Sequence, residues 1–346
     1  MGSHRRTTAI RLPNWIGDAV MAVPTLREVR RLYPQDRLVL IGSSWVTDLF
    51  RHQRLADEIR LLPSAGSALT RLRGAATLFN GCDRALLLPN SWASALPPFL
   101  ARVRVRAGYH REGRRLVLTE AATPRARLQN RHQIYHYLDL LFQTGFSTTD
   151  YLGTPEFEPS ISLEAGAKAL ESAAELLPDP PGASPLIGIN PGAAYGSAKR
   201  WPLQRYAALA DRFASKLGAT VVLVGSTAER ELAERVSSEM NQPATILTGR
   251  TNLSQLMGVL ARLDLFVSND SGPMHVAAAL SVPQVALFGS TDEIATGPWN
   301  KQTAVIHKPV ECSPCLLREC PIDLRCFRQI SVAEVFDRSR RLLDFG

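Results

Sequence analysis

Apolar residues along this chain fall into two textures: short unbroken runs, and longer stretches in which they return every third or fourth position. The first texture predicts strands covered on both faces, the second amphipathic helices. Thr7–Leu12 predicts a buried first strand, and the loop Pro13–Gly17 leads to a helix expected from about Asp18 to Tyr33, with Pro34 just past its end. Arg37–Ile41 and Arg84–Leu88 predict further strands, the second followed by a helix-like stretch after Asn90-Ser91, and Gln133–Gln143 has helical spacing. Prolines then crowd the chain at Pro155, Pro159, Pro178, Pro180, Pro181 and Pro185, leaving room for one helix, Leu163–Leu176.

Beyond this stretch the alternation returns more clearly. Leu186–Asn190, Thr220–Val224, Leu265–Val267 and Gln284–Phe288 predict strands; Pro202–Leu217, Ala228–Met240, Leu253–Leu263 and Pro273–Leu280 predict helices. Alternation of this kind implies an α/β fold, with parallel sheets covered by helices on both faces. A length of 346 residues suits two domains. The expected divisions are 1–160, a Pro-rich linker 161–185, a second domain 186–330 including a Cys-rich segment 312–326, and a C-terminal helix 331–346.

Composition narrows the function classes. Hydrophobic residues make up 45% and charged residues 21%, as in a folded soluble protein. No apolar stretch follows the basic start, so no secretory leader is expected, and Met1–His4 stay outside the reading. The most apolar segment, Ala85–Ala101, is broken by Pro89, Asn90, Pro97 and Pro98, so no membrane span is expected and the protein should be cytoplasmic. The net charge is +8, and Arg102, Arg104, Arg106, Arg111, Arg114 and Arg115 crowd one segment, followed by Arg125, Arg127 and Arg131. This is either a solvated basic face or a surface for anions, including peripheral contact with an anionic inner leaflet. No nucleic-acid-binding signature accompanies it, so no nucleic-acid partner is expected.

Sheets of this kind bind ligands at the carboxyl ends of their strands, so the informative residues should lie in the loops just after them. After the first strand comes Asn14-Trp15-Ile16-Gly17-Asp18. Asp18 either caps a helix or acts as a base on an acceptor hydroxyl, its ionised form favoured at a helix start. The dinucleotide fingerprint G-x-G-x-x-G is absent there, which disfavours a nicotinamide dehydrogenase. The loop Asn190–Pro202 carries small residues and then Lys199 and Arg200 before a helix. Small residues let backbone N–H groups approach an anion, and Lys199 adds a point charge; cations at a helix start oppose its dipole, which favours function over stability. Arg200 and Trp201 alternatively serve packing.

Asp270, Ser271 and Gly272 open another helix and suit a diphosphate, with Asp270 either a cap or a ligand of sugar hydroxyls. His275 receives no role. Glu229, after another strand, suits a ribose hydroxyl or a surface helix. Cys312, Cys315, Cys320 and Cys326, spaced C-x2-C-x4-C-x5-C, suit a structural zinc, an iron–sulfur cluster, local disulfides or reduced thiols.

Together these segments resemble the lipopolysaccharide heptosyltransferases of glycosyltransferase family 9. The resemblance rests on Trp15-Ile16-Gly17-Asp18, Leu88-Pro89-Asn90-Ser91 with Ser94-Ala95-Leu96, Pro191-Gly192-Ala193 with Ala198-Lys199-Arg200-Trp201-Pro202, and Asn269-Asp270-Ser271-Gly272 with Met274–Leu280. The Leu-Pro-Asn-Ser stretch points to the branch that adds the second heptose. The resemblance implies a GT-B fold, with two Rossmann-like doubly wound domains facing across a cleft. It implies inverting transfer of L-glycero-D-manno-heptose from ADP-heptose to the heptosylated Kdo2–lipid A core, with no cofactor and no catalytic metal. It also implies Asp18 as catalytic base, and Lys199, Ser197, Glu229, Asp270, Ser271 and Gly272 on the donor, with Asn90 and Ser91 on the acceptor side. One departure stands out: Ala194 and Tyr195 occupy a loop where some relatives carry hydroxyls, leaving phosphate contacts to the backbone or Ser197. Other readings are a nucleotide-sugar epimerase, which would need no acceptor, and a non-catalytic nucleotide-sugar-binding protein.

Overall fold

The computed structural model describes residues 5–344 except 112, 155, 178–181 and 183. Met1–His4, Pro155, Pro178, Pro180 and Pro181 of the Pro-rich stretch, and the last two positions of the expected C-terminal helix lie outside the described residues. The chain divides into two units after Ile161.

The first unit is built on six parallel strands: β1 Thr7–Arg11, β2 Arg37–Gly42, β3 Glu58–Leu61, β4 Arg84–Leu87, β5 Val105–Tyr109 and β6 Glu120–Ala122. Their order is β3-β2-β1-β4-β5-β6. The second unit repeats it with β7 Leu186–Asn190, β8 Thr220–Leu223, β9 Thr245–Ile246, β10 Leu265–Asn269, β11 Gln284–Phe288 and β12 Thr303–His307, in the order β12-β11-β10-β7-β8-β9. Each unit therefore has the Rossmann order, and in each the chain reverses direction of travel beside its first strand, between β1 and β4 or between β7 and β10. A crevice opens at the carboxyl ends of those strand pairs.

The continuous apolar runs are the central strands. β7, β10 and β11 are buried at every position, because helices cover both faces. Trp201, Tyr206, Phe213 and Phe327 are fully buried beside them and fill one core of the second unit. A separate core in the first unit gathers Ala9, Val39, Phe79, Leu87 and Val103.

Several expected elements shift. The single helix expected over 18–33 is two, Ile16–Met21 and Val23–Leu32, meeting at Ala22. Pro24 sits at the start of the second and has no N–H to continue the first. Leu163 is not helical; it donates its N–H to the Ala279 carbonyl, and the helix is Ala167–Leu176. That helix packs on Leu253–Ala261, so the segment expected as linker is part of the second unit, as is the terminal helix Val332–Asp344 on Leu203–Leu217. β5 was hidden in the arginine-rich stretch, where Arg104 and Arg106 masked a strand whose last three residues are buried.

Candidate active site

In the first unit, the loops leaving β1 and β4 flank the reversal point. Asp18 follows β1, as the third residue of Ile16–Met21. The helix cap is Trp15, with no side-chain cap bond, so Asp18 is not the capping residue. A six-residue helix also adds little dipole, so the electrostatic support expected from it is small. The neighbour that matters came from elsewhere: the Tyr137 hydroxyl donates to Asp18 Oδ1 at 3.4 Å. Tyr137 is buried on Gln133–Gln143, and burial, then the Asp18 charge, push its phenol well above the usual range. It therefore stays a proton donor to the carboxylate. Its one sequence signal is a tyrosine on the apolar face of that helix.

Arg11, buried at the end of β1, donates to Asn14 Oδ1 at 2.7 Å and to the Leu12 carbonyl, holding the loop ahead of Asp18. Burial pushes its guanidinium down to about 10. Asn90 and Ser91 leave β4 exposed; Ser91 caps Trp92–Leu100 without using its hydroxyl as a cap. The adjacent Pro89 carbonyl accepts from Arg114 at 2.9 Å.

Arg114 is fully buried, so it does not belong to a basic face. Arg106 folds onto the Val103 and Val117 carbonyls, and Arg125 pairs with Asp139 and Asp150. The surface cations left from that cluster are Arg102, Arg104, Arg111, Arg115, Arg127 and Arg131.

The second unit brings most of the expected donor residues together around its reversal point. Asn269, the last residue of β10, is fully buried and uses all its hydrogen-bonding capacity on the loop after β7 and the helix Leu203–Leu217 that follows it. Its Nδ2 donates to the Pro191 and Gly192 carbonyls, both at 3.1 Å. Its Oδ1 accepts from the Trp201 N–H and the Tyr206 hydroxyl, both at 2.9 Å. The loop carrying Lys199 is thereby fastened at both ends to the strand that leads into Asp270. Sequence reasoning gave Asn269 no role of its own.

Lys199 lies in a 3-10 turn, Ser197–Lys199, and the following helix begins only at Leu203 behind Pro202. The two cations therefore do not sit at a helix start, and the dipole argument for them fails. Arg200 bonds the Ala193 carbonyl at 3.2 Å, a structural contact. Lys199 Nζ instead lies 2.6 Å from Asp270 Oδ2, with both side chains largely buried. Asp270 Oδ1 faces His275 Nε2 at 4.0 Å. The cap of Gly272–Ala279 is Ser271, not Asp270. Ser271 makes no side-chain cap bond, and its buried hydroxyl has no hydrogen-bond partner among the described residues. A lysine, an unspent hydroxyl and an uncapped helix start thus adjoin one another, a set suited to an anion.

Glu229 is buried in the turn Thr227–Glu229 after β8, not on a surface helix. Its Oε2 accepts from the Ser226 N–H at 2.7 Å and the Ser226 hydroxyl at 2.8 Å. Its Oε1 would lie 2.0 Å from a Cβ on Gly192, which explains a glycine there. Ser197 is exposed beside Lys199.

Residues 71–325 match the model of glycosyltransferase family 9 (heptosyltransferase). The lipooligosaccharide heptosyltransferase 2 of Haemophilus ducreyi is 33% identical over 307 residues, covering 85% of this chain and 86% of that protein. The lipopolysaccharide heptosyltransferase 2 of Escherichia coli is 32% identical over 308 residues, with the same coverage of 85% and 86%. The solved structure of E. coli ADP-heptose LPS heptosyltransferase II superposes with a TM-score of 0.83 at 26% identity, covering 98% of this chain and 99% of that one. On the family match and on this likeness in both sequence and fold, the chain belongs to glycosyltransferase family 9, the heptosyltransferases.

Proposed function

We propose that this chain is a heptosyltransferase II, moving L-glycero-D-manno-heptose from ADP-heptose to the heptosylated Kdo2–lipid A core with inversion. The observation that carries the donor half is the conjunction of Lys199, the unspent Ser271 hydroxyl and the Gly272 helix start at one reversal point. The relatives named above carry the choice of sugar and acceptor.

In this reading the second unit holds the donor. The diphosphate takes hydrogen bonds from Lys199, Ser271 and the Gly272 N–H, with Ser197 at its exposed side and Asp270 orienting the lysine. Glu229 Oε1 receives a ribose hydroxyl. The first unit supplies the base. Asp18 takes the proton from an acceptor hydroxyl, whose oxygen attacks the anomeric carbon from the face opposite ADP. The bond from that carbon to the diphosphate oxygen breaks, and the negative charge grows where Lys199 and the helix start stand. A diphosphate leaves without a general acid, so one carboxylate suffices where glycosidases use two. No metal or other cofactor takes part.

Asn90 and Ser91 lie on the acceptor side, and Arg102, Arg104, Arg111 and Arg115 suit an acceptor rich in phosphate and carboxylate. Among the described residues no helix is long and apolar enough to cross a membrane. The reading places the enzyme in the cytoplasm, touching the inner leaflet peripherally where its acceptor lies, with no nucleic-acid partner. A donor panel on a heptosylated Kdo2–lipid A acceptor, read by product mass, tests the assignment. Turnover of donor alone to an isomeric sugar would instead make it an epimerase.

A further inference from the structure

The cysteine segment is unused by this chemistry, yet it is anchored to the second sheet by specific hydrogen bonds. Cys312, Cys315, Cys320 and Cys326 all line one cavity of about 20 Å³, shared with Ala198 and Ser313. That is room for one water-sized particle. Three independent anchors present the sulfurs. Ser313 donates to the Gly289 carbonyl at the end of β11 and contacts His307 Nε2 at 3.1 Å, while the Leu316 N–H donates to the Ser290 carbonyl at 2.8 Å. The Cys312–Cys315 loop is thus clamped to the sheet on both sides. The Leu324 N–H donates to Cys320 Sγ at 3.4 Å and holds that side chain in place. Cys326 is buried on Arg325–Arg328 beside the core residue Phe327.

Two turns in this segment hold non-glycine residues in the left-handed region, Leu316 at φ 56° and Leu324 at φ 53°. Each follows the sulfurs it arranges, one residue after Cys315 and four after Cys320. Such strain persists where the surroundings over-determine it. The segment supplies little apolar packing in return: Leu316, Leu317 and Ile322 are exposed.

We infer that Cys312, Cys315, Cys320 and Cys326 bind a structural metal ion of the thiolate-preferring class, zinc or iron, which fastens the segment that buttresses the Lys199 loop. A tetrahedral site of four sulfurs selects those metals. Among the described residues no three histidine, cysteine or acidic side chains already converge closely enough to hold an ion. Binding therefore includes rotation of the less buried Cys312, Cys315 and Cys320 onto the fixed Cys326, so that coordination energy orders the loop.

The buttress is direct. Tyr195 donates its hydroxyl to the Leu316 carbonyl at 3.1 Å, and the Ala198 N–H donates to the Arg318 carbonyl at 3.0 Å. That same carbonyl would lie 2.2 Å from a Cβ on Gly196, so the two backbones meet where only glycine fits. The Tyr195 ring is flanked by Arg318 at 5.2 Å and Lys199 at 5.5 Å. Cys315 and Cys320 bracket these contacts in sequence, so fixing them fixes the backing of the lysine loop.

The test begins with elemental analysis of the full-length protein purified under reducing conditions. About one zinc or iron per chain is expected, with chelator releasing it and exposing the four thiols to a thiol reagent. Cobalt(II) added to the stripped protein should give thiolate-to-metal charge transfer and tetrahedral d–d bands, and Cys326→Ser should abolish them. Should that variant fail to fold, the cobalt titration of the stripped wild type decides. Absence of bound metal together with absence of the cobalt spectrum overturns the inference, as does finding the four sulfurs paired as disulfides. The buttressing part rests on the donor reading. Stripping the metal should weaken ADP binding about 5-fold or more. Unchanged ADP affinity overturns the buttress alone, whereas no ADP binding in either state overturns the donor reading and leaves the metal site standing.

Discussion

The Lys199 ammonium and the Asp270 carboxylate stand 2.6 Å apart, joining the loops that leave the two strands flanking the second sheet's reversal point. The pair does two things at once: it ties the two loops together, and it holds a cation on the residue next to the Ser271 helix cap. Lys199→Ala should therefore weaken ADP binding by about 10- to 100-fold, the scale of a lost charge-assisted hydrogen bond. It should also destabilise the fold by about 3–5 kcal/mol, because Asp270 is left buried and uncompensated. Replacing both, as Lys199→Met with Asp270→Leu, should recover much of the stability and none of the ADP affinity. Calorimetric titration and thermal melts separate the two effects.

Asp18→Asn should keep the fold and ADP affinity while lowering kcat by about 10²–10⁴-fold. Steady-state kinetics with a saturating donor checks this, and near-normal turnover would remove Asp18 from the mechanism.

Tyr137→Phe bears on the same carboxylate. The phenol, held protonated by burial, donates to Asp18 and so favours its ionised form. Losing that donor raises the Asp18 pKa, and the acid limb of the kcat/KM profile should move to higher pH. A profile that stays in place would show the 3.4 Å contact to be inert.

Asn269→Leu strips partners from the Pro191 and Gly192 carbonyls, the Trp201 N–H and the Tyr206 hydroxyl. Each orphaned buried group costs about 1–3 kcal/mol. A large fall in Tm is expected, with Asn269→Asp intermediate, because it keeps the two acceptor bonds and loses the two donors. The KM for donor should rise in the Asp variant while the Asp18 limb of the pH profile stays put.

Alkaline stability follows from the buried phenols. Burial raises Tyr137 and Tyr206 well above their usual range. The folded state thus keeps protons that the unfolded chain loses above a pH of about 10. Stability contributed by these groups is full below that pH and falls as pH rises beyond it. Denaturant melts between neutral pH and strong alkali should show the decline, and Tyr206→Phe should flatten it.

Much of this was legible in the chain. The unbroken runs at Leu186–Asn190 and Gln284–Phe288 are strands because both faces are covered, and that pattern is visible without coordinates. The loops after Leu186–Asn190 and Leu265–Asn269 carry Lys199 and Asp270, which the topology brings together. What stayed hidden depended on tertiary neighbours. Tyr137 reaches Asp18 across 119 positions, and Asn269 reaches back 78 positions to Pro191, distances no local spacing encodes. The arginine-rich stretch misled because charge does not report burial: Arg114 is inside, donating to the Pro89 carbonyl. The dipole argument at Lys199 failed because Pro202 delays the helix to Leu203. The choice between a ribose ligand and a surface position for Glu229 stayed open because its bonds to Ser226 and its approach to Gly192 appear only once the loops meet.

The most direct test of the account is to incubate the protein with ADP-heptose and heptosylated Kdo2–lipid A and weigh both products. The account predicts an acceptor heavier by one heptosyl residue, inverted at the new linkage, with an equal amount of ADP released and the reaction lost in Asp18→Asn. An unmodified acceptor, with the donor intact, hydrolysed or isomerised, would contradict it.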